Sequence, residues 1–285
     1  MKQINLNFDR PILKLRDYFL SGEDFQLLKD SDTQILKTLP VPENLDSYYE
    51  SDEYLSHSKK TDSFFARCYA FAKAVNLKSK SKLIAQYAGR KPVLDIGAGV
   101  GDLVKELKIA GLDAEGFEPN SKARKIALDQ GVHLKSSLEN EEQDLYGLIS
   151  MYHVLEHVPD IIAQKRQIEN LLMPDGILIL ALPNYDSWDA KFFKKYWAAY
   201  DVPRHLFHFN RQAVTNFFND KFELLEEKPL WFDSLYVSIL SARYKKMPLP
   251  FITGIILGLW SNLRALFNQE YSSIAYILKK RDFKA

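Results

Sequence analysis

Residues 93–102, VLDIGAGVGD, decide the fold of this 285-residue chain. Four mostly apolar residues typical of a β-strand are followed by three glycines spaced two apart, and residues 103–107 then have helical spacing. A strand, a glycine turn and a helix place backbone N–H groups at the edge of a parallel sheet, where a ligand can approach the main chain. Glycine turns occur in several kinds of nucleotide site, so the turn alone is weak evidence for any one of them. Two acids make the prediction of a cofactor site more specific: Asp95 before the turn and Glu118 after the next apolar stretch.

Strand-type and helix-type segments alternate around this stretch. Predicted strands cover residues 92–96, 114–117, 132–134, 145–152, 177–182 and 222–231. Predicted helices cover residues 61–87 (two helices joined near 78–82), 103–110, 122–130, 161–172, 187–196, 211–218, 235–244 and 251–267. This alternation indicates an α/β fold with a parallel, doubly wound sheet, whose ligands lie beyond the carboxyl ends of the strands.

The rest of the chain is arranged around this sheet. Residues 1–60 lack a clear core pattern, and we expect a helical N-terminal extension or cap before a domain at residues 61–285. An insertion at about 185–210 follows the fifth strand and is expected to lie on the substrate side. The C-terminal helices at about 235–268 include an apolar one, which packs on the body or on a second subunit, with a membrane-surface role as the alternative. The chain is thus expected to be a monomer or a homodimer.

Composition limits the class of protein. The formal net charge of +1 gives no reason to expect a nucleic acid partner. Cys68 is the only cysteine, which excludes an internal disulfide and a multi-cysteine zinc site. Residues 1–10 lack the apolar segment of a cleavable signal, and the apolar run 251–260 is too short to span a bilayer. We therefore expect a soluble, cytoplasmic protein without a transmembrane segment.

Four segments carry a family resemblance: LDIGAGVGD, GFEPN, YHVLEHVPD and MPDGILILALPN, in this order. They resemble the successive signature segments of class I S-adenosylmethionine-dependent methyltransferases, over roughly residues 60–230. The resemblance implies a Rossmann-like, mostly parallel seven-stranded sheet, with residues 273–279 as its last, antiparallel strand. It also implies S-adenosylmethionine as the cofactor and S-adenosylhomocysteine as the product.

The same resemblance implies the cofactor-binding residues. Asp95 is expected to orient the methionine amino end, and Glu118, beside Pro119, to bind the ribose hydroxyls, as an acid at this position does in dinucleotide folds. The glycine turn is expected to pass the cofactor's carboxylate and ribose, and the segment after the fourth strand to line its methionine and sulfonium. The residues implied in these two segments are Gly97, Ala98, Gly99, Met151, Tyr152 and His153.

Residues 48–57, YYESDEYLSH, resemble the N-terminal extension of a bacterial branch of this family. Several relatives carry a cysteine-rich zinc ribbon before this segment, whereas this chain has no cysteine before Cys68. The metal of the ribbon is therefore not expected here. Tyr49 and His57 are candidates for closing over the cofactor, and the alternative is ordinary capping and packing.

Residues 153–157, HVLEH, match the H-x-x-E-H pattern of inverted zinc peptidases, in which two histidines bind zinc and the glutamate activates water. Here the pattern directly follows a strand of the cofactor sheet, and a peptidase would leave Asp95 and Glu118 unexplained. No metal site is therefore predicted. His153 is the better placed of the two histidines to act as a general base or to line the pocket.

Residues 197–210, WAAYDVPRHLFHFN, form a second chemically dense stretch, inside the insertion. Arg204 could pair with a substrate carboxylate or phosphate, and His205 could take a proton from the nucleophile. Alternatively, Asp201 and Arg204 pair within the protein, while His205 and His208 pack among the aromatic side chains. Arg204 and His205, with His153, are the candidate catalytic residues.

These observations predict S-adenosylmethionine-dependent methyl transfer to an O, N or C atom of a small-molecule acceptor, with a lipid-linked or saccharide-linked acceptor as options. An NAD-type oxidoreductase is disfavoured because the turn is G-x-G-x-G after a leading acid and not G-x-G-x-x-G. A cofactor-binding partner or regulatory protein without catalysis stays open, because Asp95 and Glu118 indicate binding and not turnover.

Overall fold

A computed structural model describes residues 6–48, 64–139 and 141–281. Its strands are β1 (Phe8–Arg16), β2 (Asp24–Asp30), β3 (Leu36–Leu39), β4 (Val93–Ile96), β5 (Ala114–Phe117), β6 (Tyr146–Tyr152), β7 (Leu172–Pro183), β8 (Phe207–His208), β9 (Phe222–Pro229) and β10 (Ser273–Lys280). Its α-helices are α1 (Phe64–Ala88), α2 (Asp102–Ile109), α3 (Ser121–Asp129), α4 (Ile161–Leu171), α5 (Trp188–Phe193), α6 (Arg211–Phe218), α7 (Asp233–Tyr244) and α8 (Pro250–Asn268).

The central sheet has the strand order β5-β4-β6-β7-β10-β9. The first four strands are parallel, and β10 runs antiparallel to both of its neighbours. Successive β7 residues such as Leu178 and Ile179 point to opposite faces and lie in two apolar clusters, one shared with α4 and α6 and the other with α1 and α2. The predicted α/β, doubly wound architecture is confirmed.

The strand count differs from the prediction, because the central sheet has six strands and not seven. Residues 132–134, predicted as the third strand, form no strand, and the adjacent Lys135 makes an isolated bridge with Phe117. Lys135 donates a backbone hydrogen bond to Gly116 and accepts one from Glu118, after which the pairing stops. The polar sequence that follows, SSLENEEQ, offers no apolar alternation with which a longer edge strand could pack.

Helices were predicted more closely than strands. Asn210 caps α6 as expected, since its side-chain oxygen accepts a 2.7 Å hydrogen bond from Ala213 N. The helix predicted for residues 187–196 is α5 followed by a 3₁₀ turn at Lys194–Tyr196, and α1 is a single helix where two were predicted. Residues 78–82, KSKSK, contain neither glycine nor proline, and nothing in their backbone preferences ends the helix there.

The N-terminal region forms a second sheet. Strands β1, β2, β3 and β8 pair antiparallel in this order, so the helical extension predicted for residues 1–60 is wrong for its described part, 6–48. Alternate residues of β2, Phe25 and Leu27, are buried and share a cluster with Phe193 and Trp197 of the insertion. Because β8 itself belongs to the insertion, backbone pairing joins the two regions. The domain boundary at residue 60 falls outside the described residues and stays a prediction.

Helices α7 and α8 pack closely against each other and leave an apolar face of α8 outward. By length and composition alone, α8 is long and apolar enough to cross a membrane. The apolar run 251–260 is thus too short to span a bilayer, but the whole helix is not. One such helix is weak evidence of a membrane span. Large side chains on its outward face include Phe251, Ile252, Ile256, Leu259, Trp260, Leu263, Leu266 and Phe267.

Gly254 of α8 is a position where we expect a clear loss of stability. A Cβ added there would lie 2.4 Å from Ile239 Cα, so Gly254→Ala must push α7 and α8 apart. The better helix propensity of alanine, about 1 kcal/mol, is outweighed by an overpacking cost of about 1–3 kcal/mol against a backbone that cannot rotate away. Urea unfolding should show the loss, whereas Ile256→Ala on the exposed face of the same helix should stay within about 0.5 kcal/mol. A more stable Gly254→Ala protein would show that the two helices separate at no cost.

Candidate active site

The carboxyl ends of β4, β5, β6 and β7 meet at one edge of the sheet, and the residues that follow them form the candidate active site. After β4, Gly97, Gly99 and Gly101 have φ of +73°, +56° and +81°, in the left-handed region that favours glycine. A Cβ added at Gly97 would lie 2.4 Å from Val154 Cγ2, so the turn packs tightly on the segment after β6. A Cβ added at Gly99 would meet no described atom within 4 Å, so the backbone is open to a ligand there.

Asp95 lies in β4, next to the glycine turn, and is buried. Its Oδ1 accepts a 2.7 Å hydrogen bond from Oγ of Ser150, which the parallel register of β6 places opposite it. Burial raises the pKa of Asp95 to about 6, the Ser150 hydrogen bond and the charge of Lys80 oppose the rise, and the charge of Glu118 adds to it. A buried acid with a raised pKa at this edge is suited to bind a cationic group of a ligand.

Glu118 follows β5 and holds the glycine turn in place. Its Oε2 accepts a 2.8 Å hydrogen bond from Gly99 N, and its Oε1 accepts a 2.9 Å hydrogen bond from Asn120 N. A carboxylate has about four acceptor positions, so about two remain for hydroxyls of a ligand. The side chain predicted to bind ribose is thus oriented by two backbone amides.

Lys80 is a site residue that the sequence reasoning missed. Its ammonium lies 4.3 Å from the centre of the Tyr152 ring, and burial lowers its pKa while the charges of Asp233 and Asp95 raise it. The pKa of Tyr152 is raised by burial and by the charge of Asp95, and its hydroxyl makes no hydrogen bond to any residue that the structure describes. Burial dominates, so the pKa of Lys80 lies below its ordinary value, and its amine interacts with both acids of the site.

His153 lies between two carboxylates. Its Nε2 is 2.9 Å from Oδ2 of Asp233, and its Nδ1 is 3.4 Å from Oε1 of Glu156. Burial lowers its pKa, but the two carboxylates outweigh burial and raise the pKa to about 9. With Nε2 at hydrogen-bond distance from Asp233 and Nδ1 at ion-pair distance from Glu156, His153 is arranged as a cationic donor and not as the general base that was one of its predicted roles.

Glu156 and His157 continue this segment and meet His205 of the insertion. The rings of His157 and His205 are 4.5 Å apart, edge to face. Burial and the charge of His205 lower the pKa of His157 to about 4. For Glu156, burial raises the pKa, but His153, His205 and His157 outweigh it and hold the pKa at about 2. An acid and two imidazoles are thus brought together beside His153.

Arg204 does not have the free guanidinium that substrate binding would require. Its side chain is 1 % exposed, with Nη2 3.2 Å from Asp17 Oδ1 and 2.6 Å from Asp201 Oδ1. The structure therefore favours the internal Asp201–Arg204 pair over a substrate contact. His208 is also internal, with Nε2 2.9 Å from Thr38 Oγ1. His205 is buried, and its Nδ1 is 2.8 Å from the carbonyl oxygen of Ala199.

The remaining predicted residues fall in three places. Met151 is buried in the core of the sheet at the end of β6, and its part in lining the cofactor stays a prediction. Pro119 follows Glu118, and Ala98 N donates a 3.0 Å hydrogen bond to Phe117 O. Tyr49 and His57 lie outside the described residues, so their closure over the site stays a prediction.

The sheet order and the glycine turn at the carboxyl ends of its parallel strands define a Rossmann-like fold with a nucleotide-type cofactor edge. A family model described as a methyltransferase domain matches residues 69–222, more than half of the chain. The chain belongs to this methyltransferase family.

Curated relatives match one part of the chain. This chain is 34% identical over 105 residues to a ubiquinone biosynthesis O-methyltransferase from Aeromonas salmonicida, and the match covers 33% of this chain and 44% of the relative. The same named protein from Yersinia pestis is 34% identical over 111 residues, covering 34% and 46%. The chain thus matches less than half the length of these relatives.

Solved structures support the fold. A possible histamine N-methyltransferase from Thermotoga maritima has a TM-score of 0.53 at 12% identity and covers 84% of this chain and 100% of its own. A 1,6-didemethyltoxoflavin-N1-methyltransferase from Burkholderia thailandensis, solved with S-adenosylhomocysteine, has a TM-score of 0.52 at 14% identity and covers 96% and 100%.

Proposed function

We propose that this protein binds S-adenosylmethionine at the edge formed by Asp95, Gly99 and Glu118 and transfers its methyl group to a small-molecule acceptor. The observation that carries the proposal is the pairing of an open glycine backbone with two oriented acids, one buried and one held by the turn itself. When bound, the cofactor supplies an activated methyl group on a sulfonium. The protein's part is to hold the acceptor in line and to remove its proton where the acceptor needs this.

Each residue has a distinct part in this proposal. Asp95 holds the cationic amino end, and Glu118 accepts hydrogen bonds from the ribose hydroxyls while keeping the turn in place. His153, oriented by Asp233, offers a charged donor at the end of β6. His205 directs Nδ1 to a backbone carbonyl, which only accepts hydrogen bonds, so the basic lone pair of the neutral ring lies on Nε2. His205 is therefore the better arranged of the two histidines to take a proton.

The acceptor is proposed at a coarser level. The names of the curated relatives favour an oxygen acceptor, and the outward apolar face of α8 is compatible with a lipid-linked substrate or with a homodimer. A saccharide-linked acceptor and a cytoplasmic location also stay proposals. Transfer of a labelled methyl group from the cofactor to extracted small molecules would identify the acceptor and separate an enzyme from a non-catalytic binding partner.

Calorimetric titration with S-adenosylmethionine, and separately with NAD, tests the proposal. We expect the wild-type protein to bind the sulfonium cofactor and Glu118→Ala to weaken binding about tenfold or more, because it removes the acceptors of the ribose and releases the turn. Glu139→Ala, at an exposed glutamate outside the site, is the matched control and should bind normally. Absence of cofactor binding by the wild type would refute the proposal, and tight NAD binding would move the protein to the dehydrogenases.

A further inference from the structure

Glu156, His157 and His205 converge although they come from two separate segments. One potential ligand atom from each of the three lies within 4.8 Å of the other two. The two segments are held together by the backbone, since Leu206 N donates a 2.7 Å hydrogen bond to Glu156 O. The arrangement is therefore built into the fold and does not depend on flexible side chains alone.

The hydrogen bonds of both imidazoles fix their tautomers. Nδ1 of His157 is 3.0 Å from the carbonyl oxygen of Arg204, and Nδ1 of His205 is 2.8 Å from that of Ala199. A carbonyl oxygen only accepts, so each Nδ1 carries the proton, and Nε2 of each neutral ring carries the lone pair. Histidines that ligate a metal through one nitrogen characteristically donate the other N–H to such an acceptor.

Glu156 provides the second, independent observation. It is 1 % exposed, yet neither of its carboxylate oxygens accepts a hydrogen bond from any residue in the described ranges. Its contact with His153, at 3.4 Å, is an ion-pair distance without hydrogen-bond geometry. A buried carboxylate normally has its oxygens satisfied by donors or by a cation. The oxygens of Glu156 thus lack a hydrogen-bond donor among the described residues, although the His153 ring lies within ion-pair distance.

We propose that Glu156, His157 and His205 form a binding site for a divalent transition-metal ion of the zinc type, beside the cofactor pocket. Two imidazole nitrogens and one carboxylate suit Zn²⁺ and its neighbours in the first transition row, whereas Mg²⁺ prefers oxygen ligands throughout. Tetrahedral bonds of about 2.1 Å place ligand atoms about 3.4 Å apart. The side chains therefore need to close by at most about 1.4 Å from the 4.8 Å limit of their present spacing.

Three protein ligands leave one coordination position open, as in catalytic zinc sites. Resting on the proposed function, we assign this position to the oxygen of a hydroxyl acceptor, because Glu156 contacts His153 at the cofactor edge. A cation there lowers the pKa of the hydroxyl. Because Nε2 of His205 is then a metal ligand, it no longer serves as the base, and the proton of the hydroxyl passes to solvent. Methyl transfer then forms the bond between oxygen and the methyl carbon and breaks the carbon–sulfur bond, whose electron pair stays on sulfur.

The test measures metal binding without any cofactor or acceptor. Protein freed of its affinity tag and of metal by a chelator is titrated with Zn²⁺, and we expect stoichiometric binding. Glu156→Gln and His205→Gln each remove a metal ligand. Each should weaken Zn²⁺ binding by more than the roughly 10–100-fold that follows the loss of a residue hydrogen-bonded to a ligand. His133→Gln, which removes an exposed histidine elsewhere, is the matched control and should bind Zn²⁺ as the wild type does.

Two further readouts make the outcome unambiguous. Titration of each variant with S-adenosylmethionine in the presence of chelator reports whether it has folded, and Co²⁺ bound to the wild-type protein should give the strong visible absorption of a low-coordinate site, not the weak bands of the hydrated ion. Two results would overturn the metal site and leave the methyltransferase proposal intact. One is that His205→Gln binds Zn²⁺ as tightly as the wild type does. The other is that the wild-type protein binds the cofactor but no Zn²⁺. Normal Zn²⁺ binding by a wild-type protein that does not bind the cofactor would support the metal site and overturn the methyltransferase proposal.

Discussion

Arg204→Met is expected to lower the free energy of unfolding by about 3–5 kcal/mol at neutral pH, because it leaves the buried carboxylate of Asp17 without its cation. The guanidinium contacts Asp17, at the end of β1, and Asp201, in the insertion, and both Arg204 and Asp17 side chains are 1 % exposed. The contacts of Arg204 therefore tie the end of β1 in the N-terminal sheet to the insertion that carries His205. Urea unfolding followed by far-ultraviolet circular dichroism measures the loss.

Three variants separate charge from packing at this position. Arg204→Lys keeps the charge but cannot reproduce the hydrogen bonds of Nε and Nη2 to Asp201, so it should restore only part of the stability. Combining Arg204→Met with Asp17→Asn should also restore part, because the uncompensated charge is removed. Arg166→Met, at an exposed arginine, should change stability by less than about 0.5 kcal/mol. Equal losses at Arg204 and Arg166 would contradict the assigned role.

The pH dependence has a defined sign. Burial raises the pKa of Asp17, but hydrogen bonds from the Ser21 and Phe19 backbone and the charge of Arg204 outweigh it, and the pKa lies below the ordinary 3.8. An acid whose pKa is lowered by folding contributes stability that is present above its unfolded-state pKa and is lost as the pH falls. The difference between wild type and Arg204→Met should therefore narrow below about pH 4.

The parallel sheet could be predicted from sequence because its signals are local. Continuous apolar strands such as residues 177–182, and the glycine turn after Asp95, each lie within about ten residues of chain. The parallel register then places Ser150 opposite Asp95, which alignment of the two strands could have shown. Lys80 and Asp233 could not be found this way, because the positions of α1 and α7 over the strand ends depend on tertiary packing.

The second sheet shows the opposite case. Its pairing of β3 with β8 joins Leu36 to His208 across most of the chain, and β8 has only two residues. No local pattern specifies such a contact. The same long-range pairing changes the meaning of the H-x-x-E-H segment: His153 faces Asp233, and His205 from the insertion takes its place beside Glu156 and His157. The proposed metal site therefore shares Glu156 and His157 with the H-x-x-E-H spacing and takes its other histidine from the insertion.

Asp95→Asn is expected to weaken cofactor binding while it stabilises the protein. Loss of a hydrogen bond to a charged group costs about 1.5–3 kcal/mol, so at pH 8 the affinity for S-adenosylmethionine should fall roughly ten- to hundredfold. In the absence of cofactor, folding raises the pKa of Asp95 from 3.8 to about 6, so keeping its carboxylate ionised costs on the order of 2–3 kcal/mol. The amide of Asn carries no charge and avoids this cost, so the variant should be more stable. Asp129→Asn, at an exposed aspartate, is the control for both measurements.

The pH dependence of the two effects distinguishes this role of Asp95 from simple packing. An acid whose pKa is raised by folding contributes stability that is fully present below its unfolded-state pKa and is lost as the pH rises through its folded-state pKa, which is about 6 for Asp95. The stability gained by Asp95→Asn should therefore be full above pH 6 and fade toward pH 4. Wild-type affinity for the cofactor should decline about tenfold per unit below pH 6, because the neutral acid no longer attracts the amino group. Asp95→Asn lacks the titrating group and should bind weakly with no such dependence. A variant that keeps wild-type affinity and its pH profile would show that Asp95 does not contact the cofactor.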